Sequence, residues 1–272
     1  MVAISVVITS WNAKGYLEKC LTSIFEDPAQ TDHEIIVIDN GSTDGTAAML
    51  SKFSGIKLIR NKKNRTIAQA RNQGMKMARG RYIMMLDADT IVLPNCFERI
   101  VEFMDSHIDA WGAGTKTLNP NGTLQPNCRT FYTLPIILFR RTPMGRLFPE
   151  NRYVRNHLML DWDHNDDRQV DWVAGASLVM RREAIDKIGP LDEGYLYCVE
   201  DTDWCYRVML SGHNIWYISD AKIIHHVQRN SAKLLSWNAY EHMRSALRFY
   251  WKFYIRNRNA NPTRTSSRRN RE

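Results

Sequence analysis

The chain has 272 residues and a formal net charge of +8, with 44% hydrophobic and 24% charged residues. This composition is typical of a globular protein large enough for one sizeable domain, and the sequence has no apolar run of the roughly 18–20 residues needed to span a bilayer. The five cysteines are scattered without a CxxC pair, which argues against a disulfide framework or a zinc site and is typical of a reducing compartment.

The first hundred residues alternate between strand and helix patterns. Short β-branched or apolar runs predict strands at "ISVVIT", "HEIIVID", "IKLIR" and "RYIMMLD", and helical spacing follows each of them. This alternation favours an α/β fold with an open, mostly parallel sheet and helices on both faces. Ligands of such sheets bind at the carboxyl ends of the strands.

The second half of the chain is less regular. Residues 115–170 are rich in proline, arginine and aromatic residues, which predicts long loops and short helices layered over the sheet. Strand and helix patterns return at "VDWVAGASLVMRREAIDKIG" and continue through "DTDWCYRVML". We therefore predict one domain with halves at 1–110 and 111–235, a basic amphipathic helix at 236–256, and a disordered basic tail at 257–272.

The C-terminal helix is both basic and aromatic. In "LLSWNAYEHMRSALRFYWKFYIR" aromatic and leucine residues alternate with arginine, histidine and lysine, so this helix could lie on an anionic membrane surface. The alternative is a helix docked on the core and followed by a solvated tail. Nucleic-acid binding is not expected, because no recognition motif accompanies the basic residues. The N-terminus lacks signal-peptide features, so we expect a cytoplasmic protein, peripheral on the inner face of the cell membrane in the first alternative.

Polar clusters follow three of the predicted strands, at "TSWN", "DNGSTDG" and "LDADT". Because parallel strands end at the same edge of a sheet, we expect the clusters to line one crevice. Trp11 offers a flat face on which a base can stack, and Asp39 can accept a hydrogen bond from a base or a ribose. Asp87 and Asp89 supply the hard oxygen ligands that Mg²⁺ and Mn²⁺ prefer.

Two common nucleotide-binding motifs are missing from the sequence. No GxGxxG follows the first strand and no GxxxxGK[ST] occurs, which argues against dinucleotide oxidoreductases and P-loop NTPases. A nucleotidyltransferase on a related sheet and a non-catalytic module that binds nucleotides or glycans stay open as alternatives to the function considered next.

Five motifs occur in the order and spacing of one known family: "VVITSWN", "VIDNGSTDGT", "NRTIAQARNQGMKMARGRYIMMLDADT", "WVAGASLVMRR" and "LDEGYLYCVEDTDWCYRV". Through them the chain, from residue 3 to about 235, resembles the family 2 glycosyltransferases with the GT-A fold. The segments "LFPENRYVRNHLMLDWDHNDDRQVDWVAGAS" and "HHVQRNS" resemble the rhamnosyltransferase branch, whose members build bacterial polysaccharides on lipid-linked acceptors. The resemblance implies an inverting, Mg²⁺- or Mn²⁺-dependent transfer of a sugar from a nucleotide diphosphate sugar, such as dTDP-rhamnose, to a glycan or lipid-linked saccharide.

The resemblance also implies roles in the first half of the chain, which would bind the donor. The donor-binding residues would be Thr9, Trp11, Asn12, Asp39, Asn40, Ser42, Asn64, Arg71, Asn72, Asp87, Ala88 and Asp89. Asp89 would also bind the metal ion, together with His226. Strand alternation directs only one of His225 and His226 to the crevice, and His226 is the one that has the family's H-x4-S spacing to Ser231. The family usually has N-x-G-F-A where this chain has Thr66 at the glycine position.

In the second half the resemblance implies the acceptor site and the general base. The acceptor-binding residues would be Trp172, Gly175, Ala176 and Glu200. An inverting transfer needs a carboxylate that takes the proton of the acceptor hydroxyl, and the family's "ED" pair assigns this role to Asp201. Glu200 would bind acceptor hydroxyls or orient the base, and Asp203 is expected to cap the helix that begins there.

Overall fold

The computed structural model describes residues 2–27, 31–141, 144–148, 151–226 and 237–256. The first half contains β1 (Ile4–Ser10), α1 (Lys14–Phe25), β2 (His33–Asp39), α2 (Thr46–Leu50), β3 (Ile56–Arg60), α3 (Ile67–Met77), β4 (Tyr82–Asp87), β5 (Thr90–Val92) and α4 (Cys96–Ser106). The predicted basic tail and the histidine–serine spacing to Ser231 lie outside the described residues.

The second half begins with β6 (Ala110–Leu118), β7 (Cys128–Arg129), α5 (Leu134–Arg141), α6 (Met144–Leu147), α7 (Arg152–His157), β8 (Arg168–Val170) and β9 (Trp172–Val173). It continues with β10 (Ser177–Arg181), α8 (Arg182–Ile188), α9 (Glu200–Leu210), β11 (Asn214–His225) and α10 (Trp237–Tyr250). A π-helical segment, Trp251–Arg256, extends α10. Loops and short helices between β6 and β8 agree with the prediction for this region.

Within the described residues, nine strands form one mixed, mostly parallel sheet. Its order is β3-β2-β1-β4-β10-β6-β11-β5, with β8 paired to β11. Strands β1, β2, β3, β4, β6 and β11 run in one direction, and β5, β8 and β10 run in the opposite direction. The predicted α/β class is therefore confirmed, and the antiparallel β10 between β4 and β6 is the feature that the alternating pattern did not predict.

Helices cover both faces of the sheet. Successive residues of a strand point to opposite faces, so Val6 packs in the same apolar cluster as Leu17 of α1. The adjacent Val7 packs in a second cluster with Met75 of α3 and Trp204 of α9. Both faces thus need apolar cover, and this explains why the central strands read as continuous apolar runs.

Helix α3 begins with a reciprocal cap. The Thr66 hydroxyl accepts a hydrogen bond from the Gln69 backbone N–H at 3.3 Å, and the Gln69 side chain accepts one from the Thr66 N–H at 3.4 Å. Such a capping box satisfies two of the backbone donors that a helix start leaves unpaired. Threonine at the family's usual glycine position therefore fixes the start of the helix that carries Arg71 and Asn72.

The C-terminal helix docks on the core. Phe249 of α10 and Phe253 of the π-helical segment are buried, and their ring centroids lie 5.3 and 4.3 Å from that of Tyr206 in α9. This docking is the second of the two arrangements considered from the sequence, although the opposite face of the helix is exposed. Within the part of the chain that is described, no helix has the length and apolar character needed to cross a membrane.

Candidate active site

A crevice forms where β1, β2 and β4 end. Thr9 lies beside Asp87 in the register of β1 and β4, and Ser10 lies beside Asp39 in the register of β1 and β2. The polar clusters that follow these strands therefore meet at one edge of the sheet. Trp11 follows at the rim with 53% of its surface exposed, so its ring is accessible for stacking.

Asp39 and the loops beside it form the inner wall of the crevice. Asp39 is buried, its Oδ1 accepts from the Ser42 N–H at 2.9 Å, and its Oδ2 lies 3.6 Å from the Arg60 Nε. The Ser42 hydroxyl accepts from the Asn12 N–H at 3.0 Å, and the Asn12 Oδ1 accepts from the Thr43 N–H at 2.8 Å. These bonds fix the loops after β1 and β2 relative to each other.

Asn40 holds a second loop against the end of β2. Its side chain is buried, donates to the Asn64 Oδ1 at 2.7 Å and accepts from the Arg65 N–H at 3.1 Å. The adjacent Gly41 has a φ of +84°, and a Cβ there would lie 2.8 Å from the carbonyl carbon of Lys63. The close approach therefore requires glycine. Asn40 acts on the fold of the crevice, whereas Asn64 is exposed at its edge.

Asp87, Asp89 and His225 form one cluster of candidate metal ligands. Each offers one ligand atom, these atoms lie within 4.8 Å of one another, and the His225 Nε2 is 3.3 Å from the Asp89 Oδ1. Ala88, between the two aspartates, is buried. Carboxylate oxygens and an imidazole nitrogen are a donor set that fits a divalent cation such as Mn²⁺ or Mg²⁺.

Gln125 orients the His225 ring. The Gln125 Oε1 lies 2.8 Å from the His225 Nδ1, and the Gln125 Nε2 donates to the His225 carbonyl oxygen at 3.1 Å. With Nδ1 beside this amide oxygen, Nε2 is the ring nitrogen that faces Asp89, an orientation that also occurs in metal-binding histidines. Burial lowers the pKa of His225, but the carboxylates of Asp89 and Asp87 outweigh burial and hold that pKa above its ordinary value. Nothing in the sequence marks Gln125, which lies outside all five motifs.

His226, the histidine named from the sequence, is not in this cluster. Its ring centroid lies 5.6 Å from that of Tyr16, and its backbone N–H donates to the Asp89 carbonyl oxygen at 2.8 Å. His225 instead ends β11 opposite Thr90 of β5, which brings its ring beside Asp89. His225 therefore replaces His226 as the candidate ligand, because it is the histidine whose ring lies with Asp87 and Asp89.

Arg71 is buried at the centre of the site. Its guanidinium donates to the Asp87 Oδ1 at 2.7 Å, the Glu200 Oε1 at 3.0 Å and the Gly175 carbonyl oxygen at 2.8 Å. A Cβ at Gly175 would lie 2.3 Å from the Arg71 Nη1. The position of the missing Gly175 Cβ is thus filled by the guanidinium, and Arg71 joins the predicted donor side to the predicted acceptor side.

Glu200 and Asp201 are adjacent in α9 but differ in their surroundings. Glu200 is 2% exposed, and burial together with the neighbouring Asp201 charge raises its pKa to about 7. Asp201 is partly exposed, accepts from the Gly175 N–H at 2.8 Å and the Thr202 N–H at 2.6 Å, and burial raises its pKa. Burial argues against Glu200 as a ligand of acceptor hydroxyls and favours its alternative role, orienting the base.

Asn72 does not line the crevice. Its side chain is buried, donates to the Leu191 carbonyl oxygen at 3.0 Å and to the Glu193 Oε1 at 2.8 Å, and accepts from the Leu191 N–H at 3.1 Å. Asn72 therefore ties α3 to the loop that leads into α9.

Two residues of the predicted acceptor floor are also buried. The Trp172 Nε1–H donates to the Thr130 carbonyl oxygen at 2.9 Å, and the Ala176 carbonyl oxygen accepts from the Asp87 N–H at 3.2 Å. Both residues support the site from below the surface rather than presenting a side chain to an acceptor.

Asp203 is not the cap of α9. Val199 occupies the N-cap position without a side-chain cap, and the Asp203 side chain is fully buried. Its Oδ1 accepts from the Tyr195 hydroxyl at 2.9 Å and its Oδ2 from the Arg207 Nε at 2.8 Å. A position four residues into the helix is too far along for capping, so the side chain binds neighbouring elements instead.

The sequence matches known proteins over most of its length. A model of glycosyl transferase family 2 matches residues 5–188. The N-acetylglucosaminyl-diphospho-decaprenol L-rhamnosyltransferase of Mycobacterium tuberculosis is 24% identical over 241 residues, covering 84% of this chain and 77% of that protein. An uncharacterized glycosyltransferase of Haemophilus influenzae is 35% identical over 116 residues, covering 40% of this chain and 36% of that protein.

Solved structures of glycosyltransferases share the fold. GalNAc-T7 with UDP, GalNAc and Mn²⁺ gives a TM-score of 0.63 at 18% identity, covering 83% of this chain and 44% of that one. A mannosyltransferase of Pyrobaculum calidifontis with GDP-Man and Mn²⁺ gives a TM-score of 0.62 at 16% identity, covering 93% of this chain and 64% of that one. This chain spans less than two thirds of either protein, and the similarity confirms the predicted GT-A fold.

Proposed function

The chain belongs to glycosyl transferase family 2, and on that basis we propose that it transfers a sugar, with inversion, from a nucleotide diphosphate sugar to a glycan or lipid-linked saccharide. The observation that carries the proposal is the buried Arg71, whose guanidinium joins Asp87 of the candidate metal cluster to Glu200 beside Asp201. One charged network thus couples a site suited to a diphosphate with a site suited to proton abstraction.

Asp89 and His225 would hold the divalent cation, with Asp87 beside them. A bound Mg²⁺ or Mn²⁺ would neutralise the negative charge of the leaving diphosphate as a Lewis acid. The residues fit this role because the His225 Nε2 and the Asp89 Oδ1 face each other at 3.3 Å with the histidine ring oriented by Gln125. Trp11 would stack on the base, and Asp39 would accept from a base or ribose donor.

Asp201 would act as the general base. It is the partly exposed member of the carboxyl pair, and its raised pKa makes its carboxylate a better proton acceptor than an ordinary aspartate. The Gly175 N–H holds one carboxylate oxygen at 2.8 Å and the Thr202 N–H holds the other at 2.6 Å, so the side chain is fixed before an acceptor arrives. Asp201 would take the acceptor hydroxyl's proton as its oxygen attacks C1 of the donor sugar.

The donor we favour is dTDP-rhamnose, used in cell-surface polysaccharide synthesis. The support is the similarity to a rhamnosyltransferase that extends over 84% of this chain. By its name that relative acts on a saccharide linked to decaprenol through a diphosphate, which makes a lipid-linked acceptor the first choice for this chain as well.

A thermal-shift panel of nucleotide sugars with Mn²⁺ tests the proposal. At a donor concentration 100 times the dissociation constant, binding should stabilise the fold by about 2.7 kcal/mol. For a chain of this size we expect the melting temperature to rise by roughly 2–4 °C per kcal/mol, most strongly with dTDP-rhamnose.

The other outcomes of that panel are distinct. Stabilisation by a nucleoside triphosphate and release of pyrophosphate would identify a nucleotidyltransferase. Donor binding with neither transfer nor hydrolysis would identify a non-catalytic binding module, and no stabilisation by any nucleotide sugar would contradict the proposal.

We also propose that the exposed face of the C-terminal helix rests on an anionic membrane surface. Its outer stripe consists of the exposed residues Trp237, Tyr240, Leu247, Trp251 and Ile255. Arg244 and Arg248, with side chains 59% and 47% exposed, flank the stripe. Residues 257–272 add five arginines and one glutamate. Apolar side chains beside cationic ones suit the boundary between headgroups and acyl chains.

Replacing Trp237 and Trp251 together with glutamate should lower binding to phosphatidylglycerol vesicles by about tenfold, because both tryptophans of the stripe are lost and two negative charges are added beside anionic headgroups. Flotation of the full chain with vesicles measures this, and Ile108→Glu, an equally apolar residue with 82% exposure on another surface, is the control. Deleting the helix is a poorer test, because it would also uncover the core around Tyr206. Equal binding of the double variant and the wild type would refute the membrane role.

A further inference from the structure

Lys252, on the π-helical segment at the C-terminus, binds two carboxylates from different elements. Its Nζ donates to the Asp203 Oδ1 in α9 at 2.6 Å and to the Asp192 Oδ2, in the loop before α9, at 2.8 Å. Arg248, one turn earlier, lies 3.4 Å from the same Asp192 oxygen. A single ammonium group therefore connects the C-terminal helix to both sides of the segment that carries Asp201.

The bond to Asp203 lies in the interior. The Asp203 side chain is 0% exposed, and the Tyr195 hydroxyl shares its Oδ1 with Lys252 while Arg207 occupies its Oδ2. Burial raises the pKa of Asp192, but the hydrogen bond and charge of Lys252, with the Gly194 N–H and the Arg248 charge, outweigh burial and lower that pKa to about 2. Lys252 is the cation that both carboxylates share, beside Arg207 at Asp203 and Arg248 at Asp192, and a buried carboxylate that loses part of its compensating charge is destabilised.

The segment between these attachment points is strained. Cys198 and the β-branched Val199 both have positive φ, 56° and 76°, directly before Glu200 and Asp201. Non-glycine residues, and β-branched ones above all, adopt this region at a cost in free energy and keep the conformation only when surrounding contacts enforce it. Tyr195 before the strained pair and Asp203 after it are the residues that the Lys252 cluster holds.

We propose that Lys252 is a positioning residue for sugar transfer: by holding Asp192 and Asp203, it keeps the strained turn closed and Asp201 at the crevice. The catalytic part of this inference rests on the proposed function. The structural part, that Lys252 holds the loop in its conformation, is independent of the proposed function, because the conformation can be measured without any substrate. The C-terminal helix is accordingly part of the machinery that aligns the base, in addition to covering the core.

Lys252→Met tests the inference, since it removes the ammonium group and keeps an unbranched apolar side chain. We expect kcat for transfer to fall on the order of 10- to 100-fold, because misplacing a catalytic group by about 1 Å has effects of this size. The KM for the donor and the Mn²⁺-dependent affinity for the nucleotide should stay unchanged. Hydrogen–deuterium exchange should become faster in residues 191–203 and stay unchanged in β1 and β4. Lys52→Met, which removes a surface lysine 3.2 Å from Glu18, is the matched control.

Other outcomes would overturn the inference. If Lys252→Met keeps the wild-type kcat, Lys252 has no role in catalysis. If donor affinity falls in proportion to kcat and hydrogen–deuterium exchange becomes faster throughout the sheet, Lys252 only stabilises the fold in general. If Lys252→Met does not fold, Asp192→Asn, which weakens one arm of the cluster and leaves Asp203 paired, should lower kcat in the same direction, and an unchanged kcat would refute the role. If the wild type transfers no sugar, the proposed function fails, and unchanged exchange in residues 191–203 would separately refute the hold on the loop.

Discussion

Replacing Asp201 with asparagine should lower the rate of sugar transfer by about 10²- to 10⁴-fold, the range expected for loss of a general base. Asparagine has nearly the same shape but cannot take the acceptor hydroxyl's proton. Nucleotide binding at the other end of the site should stay close to wild type, because Trp11, Asp39 and the cluster around Asp89 are untouched. Steady-state kinetics with separate measurement of nucleotide affinity and melting temperature checks this.

Asp220→Asn is the matched control, since that aspartate is 80% exposed and lies 3.8 Å from its nearest ion-pair partner, Lys222. Turnover of Asp201→Asn at the wild-type rate would show that another group is the base. A fall in melting temperature that accounts for the lost activity would show that the substitution acts through stability, which contradicts the expected loss of the base in a folded protein.

The stability of the same variant should depend on pH in a defined direction. The pKa of Glu200 is raised from 4.5 to about 7, so the folded state binds a proton more tightly than the unfolded state. This group contributes stability below its unfolded pKa and loses that contribution as pH rises through about 7. Removing the Asp201 charge should lower the Glu200 pKa, so the loss of stability should become smaller and end at lower pH, as unfolding measured across pH would reveal.

Replacing Asp89 with alanine should weaken Mn²⁺-dependent nucleotide binding by at least about 100-fold, since losing even an outer partner of a metal site costs 10- to 100-fold. His225→Ala should act in the same direction because the two ligand atoms face each other at 3.3 Å. His226→Ala is the matched control, because its ring lies beside Tyr16 and outside the cluster. Titration calorimetry with nucleotide, with and without Mn²⁺, measures the effect.

Two results would contradict this assignment. Unchanged Mn²⁺-dependent affinity in Asp89→Ala would remove that residue from the metal site. If Mn²⁺-dependent nucleotide affinity falls more in His226→Ala than in His225→Ala, the metal ligand is His226, the histidine that the family spacing favoured.

The parallel part of the fold and the place of the crevice could be predicted from the sequence. Apolar runs and polar strand ends are local patterns, and the parallel register then brings Thr9 to Asp87 and Ser10 to Asp39. The antiparallel β10 could not be predicted in this way, because its neighbours β4 and β6 come from earlier parts of the chain.

The roles of buried polar residues could not be predicted for a related reason. Arg71 and Glu200 are 129 residues apart in the chain, and Asn72 and Leu191 are 119 apart. A motif shows that such residues belong together without showing which of them face the ligand. Gly175 likewise reads as open space for a sugar until the Arg71 guanidinium is seen to fill it.

The sequence favoured His226 through its spacing to Ser231, and alternation along β11 left open which of the two histidines faces the crevice. This strand has a register shift between Ile218 and Lys222 where it pairs with β6. A bulge of this kind changes which side chains face the crevice further along the strand. Simple alternation counted through such a strand therefore cannot assign the last residue, and His225 faces Asp89.

The strand order also determines when the site can exist during synthesis. In a chain that the ribosome has extended only through β6, the edge of β4 later covered by β10 is unpaired, and Asp89 has not yet met the histidine of β11. An unpaired strand edge is a site of misassembly. The candidate metal cluster and the contacts of Lys252 are therefore completed only after β11 and the C-terminal helix have emerged, whereas the ends of β1, β2 and β4 can meet earlier. We expect a prematurely terminated product to form the wall of the crevice and to lack both the cluster and those contacts.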